Sequence, residues 1–92
     1  MTQRQSPTVR RRRLALTLRQ LRDSASLSAA EAARRVDHDA SWLSRIESAE
    51  VRPHPNDVRA LLSLYGVEGV QAEAVIAVAR PLASSKASRP II

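Results

Sequence analysis

The chain has 92 residues, with 15 Lys or Arg against nine Asp or Glu, a net charge of +6 and no cysteine. That length suits one domain, with about 60–70 packable residues near the lower limit for an unstapled core. A disulfide framework and a thiolate metal site are excluded, no apolar run approaches the roughly 20 residues of a membrane span, and the arginine-rich start lacks the apolar stretch of a secretory signal. His38 and His54 make a poor metal pair, so no metal or cofactor is expected, and the setting implied is cytoplasmic. The charge is uneven: residues 1–22 hold seven arginines and no acid. A basic flank on a small domain points to an anionic polymer, usually nucleic acid. Abundant Ala, two Gly and no Phe favour helices over a sheet.

Residues 1–9 read as a basic flexible arm, 10–80 as the folded domain and 81–92 as a tail. Helix one is expected in SPTVRRRRLALTLRQLRDSA. Ser6 or Thr8 can cap it, Pro7 suits its first turn, and Leu14, Leu18, Leu21 and Ala25 mark its inner face. Helix two is SLSAAEAARRV. Ser28 and Glu31 form a capping box, with Ala29, Ala32, Ala33 and Val36 inward. Asp39 caps helix three, about 40–48. Pro55 opens helix four, with Asp57 in its positive first turn. Val58, Leu61, Leu62 and Tyr65 face inward and Gly66 stops it. Helix five runs from about Val70 to Arg80, with Val75, Val78 and Ala79 apolar. The expected class is all-α, a compact five-helix domain.

Helices two and three are joined by a turn of helix-turn-helix length, giving a motif over residues 28–48. Ala33 allows the close crossing, and Asp37 tolerates the left-handed backbone the turn needs. With Leu43 and Ile46 inward, Ser41, Ser44, Arg45 and Ser48 point away from the core at 100° per residue. Short polar groups permit close approach to a groove, and Arg45 is the one long donor able to make a bidentate contact to guanine. The competing reading folds Arg45 back on Glu31 or Asp39. Trp42 falls at the border: either it covers the core edge, or it lies along a groove wall.

The segment LSAAEAARRVDHDASWLSRIESAE resembles the helix-turn-helix of the Xre, or lambda-repressor-like, family. The similarity spans about residues 10–80. SRIE at 44–47 and DVRALLSLYGV at 57–67 look most like an actinobacterial subfamily, in which a longer C-terminal domain usually follows. Departures are Ala29 and Ala40, where the family often has Gln or Ser, and Asp37 and Ala49, where it has Gly. They weaken hydrogen-bonded base readout more than the fold. The resemblance implies double-stranded DNA binding, with Ser41, Trp42, Ser44 and Arg45 at bases. It further implies an Arg22–Glu47 pair tying helix one to helix three, and Arg52 on the DNA backbone.

Further phosphate contacts are expected from Arg22, from Ser48, and from the free amides at Ser28 and Ala29. His54 is a cap before it is a contact. Arg10, Arg11, Arg12 and Arg13 oppose the helix dipole, by roughly 0.3–1 kcal/mol each. Phosphate or minor-groove contact explains this run; a solvated charge run is the alternative. No nucleophile–base pair, carboxylate pair or phosphate-cradling Gly loop suggests an enzyme. The function expected is a sequence-specific transcriptional regulator at the nucleoid, a repressor, acting as a homodimer on half-sites one turn apart. Val70 to Leu82 is the expected self-association surface unless its valines merely close the core. The alternative is a partner-binding protein, an antitoxin or a regulator-sequestering adaptor with a degenerate motif. Membrane action fails because the arginines lie opposite a core stripe.

Overall fold

Four of the helix ends share one device. In the computed structural model, which describes residues 7–80, α1 spans Pro7–Ser24, α2 Ala29–Arg35, α3 Ala40–Glu47, α4 Pro55–Leu64 and α5 Gly69–Ala79. After each of the first four, one residue turns left-handed: Ser26, Asp37, Ala49 and Gly66, at φ +62°, +65°, +64° and +82°. The next amide then donates back into the last helical turn, as Leu27 to Arg22 O at 3.3 Å, His38 to Ala33 O at 2.8 Å, Glu50 to Arg45 O at 2.9 Å and Val67 to Leu62 O at 2.8 Å. This is the Schellman cap. It makes each connection short and reverses the chain.

The first three caps lack glycine, so each bears left-handed strain of about 1–2 kcal/mol, least for Asp37, whose side chain tolerates that region. At Ala49 no side-chain bond compensates. Ala49→Gly is expected to stabilise the domain by about 0.5–1 kcal/mol after glycine's larger unfolded-state entropy is subtracted. The thermal midpoint should rise by about 2–8 °C, measured by circular dichroism. A midpoint that stays or falls would show that the strain is relieved elsewhere.

The amino ends are capped by side chains. Ser28 Oγ accepts the Glu31 amide at 3.1 Å, Asp39 Oδ1 accepts the Trp42 amide at 2.9 Å, and His54 Nδ1 accepts the Asn56 amide at 3.0 Å. The capping box at α2 is only half realised. The Glu31 carboxylate turns instead to Arg34 and Arg35, one turn further along its own helix. Two formal charges outcompete one backbone dipole there.

The core gathers Leu14 and Leu18 of α1, Ala32 and Ala33 of α2, Leu43 and Ile46 of α3, Val58, Leu61 and Leu62 of α4, then Val67 and Ile76. Helix α1 lies across α3, α4 and α5, while α2 packs on α3 and α4 on α5. Ala33 is fully buried, which lets α2 and α3 cross closely. On α5, Ala72, Ile76 and Ala79 are buried, while Val75 and Val78 pack part-buried against the core and line a shallow groove with Arg13, Leu14 and Thr17 of α1. Because α5 is apolar on nearly every side, periodicity does not choose its inner stripe. Among the described residues there are five helices and no strand, an all-α domain. The helix takes in residues 7–9, and the expectations for residues 1–6, with Ser6, and for 81–92 lie outside the described residues.

Candidate nucleic-acid interface

Helix α3 is anchored by one edge. Leu43 is 0% and Ile46 1% exposed, while Ala40, Ser41, Ser44, Arg45 and Ser48 are exposed. Side chains on that outer strip are short except for Arg45. Among the described residues no acid pairs with Arg45, since Glu31 is taken by Arg34 and Arg35 and Asp39 caps the helix. The guanidinium therefore stands in solvent with all its donors available.

The orientation of α3 is fixed from below by Arg22 and Glu47. Arg22 Nε donates to Glu47 Oε2 at 2.8 Å and Nη2 to Oε1 at 2.9 Å, a bidentate fork. Its Nη1 donates to Leu27 O at 2.8 Å. The two side chains are 12% and 9% exposed. The bond to Glu47 raises the Arg22 pKa above its ordinary value, against the opposing effect of burial. Tyr65 lies beside this pair. Burial first, then the Glu47 charge, push its hydroxyl up to about 12, while Arg22 draws it down.

Trp42 is part-buried and packs on the core. Its ring is stacked on the imidazole of His38, with centroids 3.7 Å apart and planes tilted by 8°. The sequence offers His38 only as half of a poor metal pair; the one signal for this stack is its spacing of four residues from the single tryptophan.

The expected phosphate contacts divide. Arg12, Arg13 and Arg52 are exposed, and among the described residues none has an acidic partner. Arg11 is half-buried, with its Nε enclosed. Arg10 is committed to the fold: its Nη2 donates to Val78 O at 3.1 Å and Ala77 O at 3.4 Å. A cation at the negative end of α5 is favourable, so Arg10 is withdrawn from the phosphate set. Arg22 is withdrawn likewise, its donors being spent on Glu47 and Leu27. Ser48 is the C-cap of α3. Its hydroxyl lies 2.9 Å from Ser44 O and 3.0 Å from Glu50 Oε2, and that carboxylate would repel a phosphate. Ser28 is exposed and its oxygen is used as a cap, leaving its proton and the first-turn amide of Ala29 without an acceptor in the helix.

The arginine sites on α1 are spread along it. The run at 10–13 begins about 18 Å from Arg22 at 1.5 Å per residue, so it lies at the far end of α1 from the α3 contact. Among the described residues no cluster of His, Cys, Asp or Glu could hold a metal ion, and no helix is long and apolar enough to cross a membrane.

No curated protein and no solved structure matches the chain. A family model described as a helix-turn-helix domain matches residues 13–75, a span that contains the whole α2–α3 unit, the Arg22–Glu47 brace and the exposed strip of α3. The chain belongs to this helix-turn-helix family, whose architecture is a DNA-binding one.

Proposed function

We propose that the protein is a sequence-specific, double-stranded DNA-binding transcriptional regulator of the Xre, lambda-repressor-like kind, acting as a repressor. The single observation that carries this is the outer strip of α3: Ser41, Ser44 and an unpaired Arg45 on a helix whose opposite edge is buried. Such a strip suits the major groove, where Arg45 meets guanine O6 and N7 and Ser41 and Ser44 allow close approach. Arg12, Arg13 and Arg52 supply phosphate contacts, joined by Ser28 and the Ala29 amide. Two copies on adjacent half-sites give the contact number that specificity needs. The site of action is the nucleoid.

The test is selection of bound fragments from random duplex DNA, followed by a salt titration on the best sequence. Enrichment of a motif containing a guanine at a fixed place in each half-site is expected. The logarithm of affinity should fall with that of salt by nearly one per arginine–phosphate contact. No enriched motif together with a flat salt response would sink the proposal. The second reading, a partner-binding protein, is favoured by the apolar α1–α5 groove and by the exposure of Leu16 and Val70. It predicts that flat response.

A further inference from the structure

Trp42 is the one aromatic side chain of α3, part-buried on the border of the exposed strip. What restricts it is His38. The imidazole lies almost parallel to the indole at 3.7 Å and covers one of its faces, while the core takes up another part of the ring.

His38 is itself held from two other directions. Its amide closes the cap of α2 on Ala33 O at 2.8 Å, which requires the left-handed backbone at Asp37. Its Nε2 lies 3.7 Å from Asp57 Oδ1 in the first turn of α4. A carboxylate there is favoured by the positive end of α4. The backbone of His38 is thus fixed at the end of α2, and its imidazole bridges Trp42 of α3 and Asp57 of α4, although much of its surface is open to solvent.

From this we infer that His38 is a positioning residue. It fixes the angle of the Trp42 indole, so that the free edge beside Ser41 meets one base step, by apolar contact with a thymine methyl or the adjoining sugar. This rests on the DNA-binding reading above and adds a specificity determinant to it. His38 touches no base; it acts through Trp42. Asp57, 3.7 Å from Nε2, favours this orientation of the imidazole by its charge.

Trp42 is the only tryptophan, so its fluorescence reports its own pose. Three variants suffice: His38→Ala, His38→Phe, which restores a stacking ring without the Asp57 contact, and Asp57→Asn. Each is measured twice. Acrylamide quenching of Trp42 is read in the free protein. Affinity is then read at constant salt for the selected sequence and for versions with each base pair changed in turn.

In His38→Ala, quenching should rise about twofold while helicity and the salt slope stay constant. Discrimination should drop about fivefold at one or two adjacent positions only, the scale of a lost methyl contact. His38→Phe and Asp57→Asn each keep a stacking ring without the ion pair, so both should fall between His38→Ala and the parent. Three results overturn the role of His38 alone: quenching unchanged in His38→Ala, affinity lost evenly at every position as a structural defect would do, or no rescue by Phe. A parent protein with no preference at any position overturns the DNA reading and this role together, and it is recognised because the parent itself fails.

Discussion

Glu47→Ala is expected to remove about half or more of the stability of the protein. The residue ends α3 and is 9% exposed, against 12% for Arg22. With Glu47 gone, two donors of Arg22 lose their acceptors, only the bond to Leu27 O remains, and the charge stays in a poorly hydrated place. Breaking a buried pair in this way costs about 3–5 kcal/mol. Because the pair keeps some contact with water, the cost falls below that range, to about 2–3 kcal/mol. A single core in a domain this small supplies roughly 3–5 kcal/mol in total, so little would remain. The double change Arg22→Met with Glu47→Leu should be far milder than Glu47→Ala, because no orphaned charge is left. Urea unfolding followed by circular dichroism measures all three proteins. If Glu47→Ala unfolds at the same urea concentration as the parent, the pair contributes nothing and α3 is held by Leu43 and Ile46 alone. The consequence reaches function, since this brace sets how far α3 stands out from α1.

Much of this arrangement could be read from the sequence because it is local. Ser28 before α2, Asp39 before α3 and Pro55 opening α4 all act within one helical turn, and the chain order alone places them. The two-residue pattern Leu43, Ile46 settles which edge of α3 is inward, and the exposed strip follows by rotation. What escaped was non-local or degenerate. Arg10 finds its partners 67 and 68 residues away on α5, a contact no spacing rule reaches. The pattern does not choose between Ile76 and the valines on α5, because apolar residues lie on nearly every side of that helix. Glu31 had a backbone amide and two arginines within reach, and only the three-dimensional rotamers decide among them. The His38–Trp42 stack combines a turn residue with a helix residue, so neither periodicity describes it.

Arg45→Glu should abolish specific DNA binding while leaving the fold as it is. The side chain is exposed and, among the described residues, bonded to nothing, so its replacement should change stability by no more than about 0.5 kcal/mol. At the interface the balance differs. A bidentate contact to guanine discriminates by about 1–3 kcal/mol, and a carboxylate in its place faces the guanine acceptors and the flanking phosphates, adding repulsion. Together these give a loss of about 100-fold or more. Two milder variants separate the contributions. Arg45→Lys keeps the charge but loses the planar fork, so affinity for nonspecific DNA should hold while guanine preference weakens. Arg45→Gln should move the preference at that position from guanine toward adenine, because its amide matches adenine N6 and N7. A uniform weakening across all sequences would instead make Arg45 a phosphate contact. Binding of Arg45→Glu to the selected sequence within threefold of the parent would remove α3 from the groove altogether.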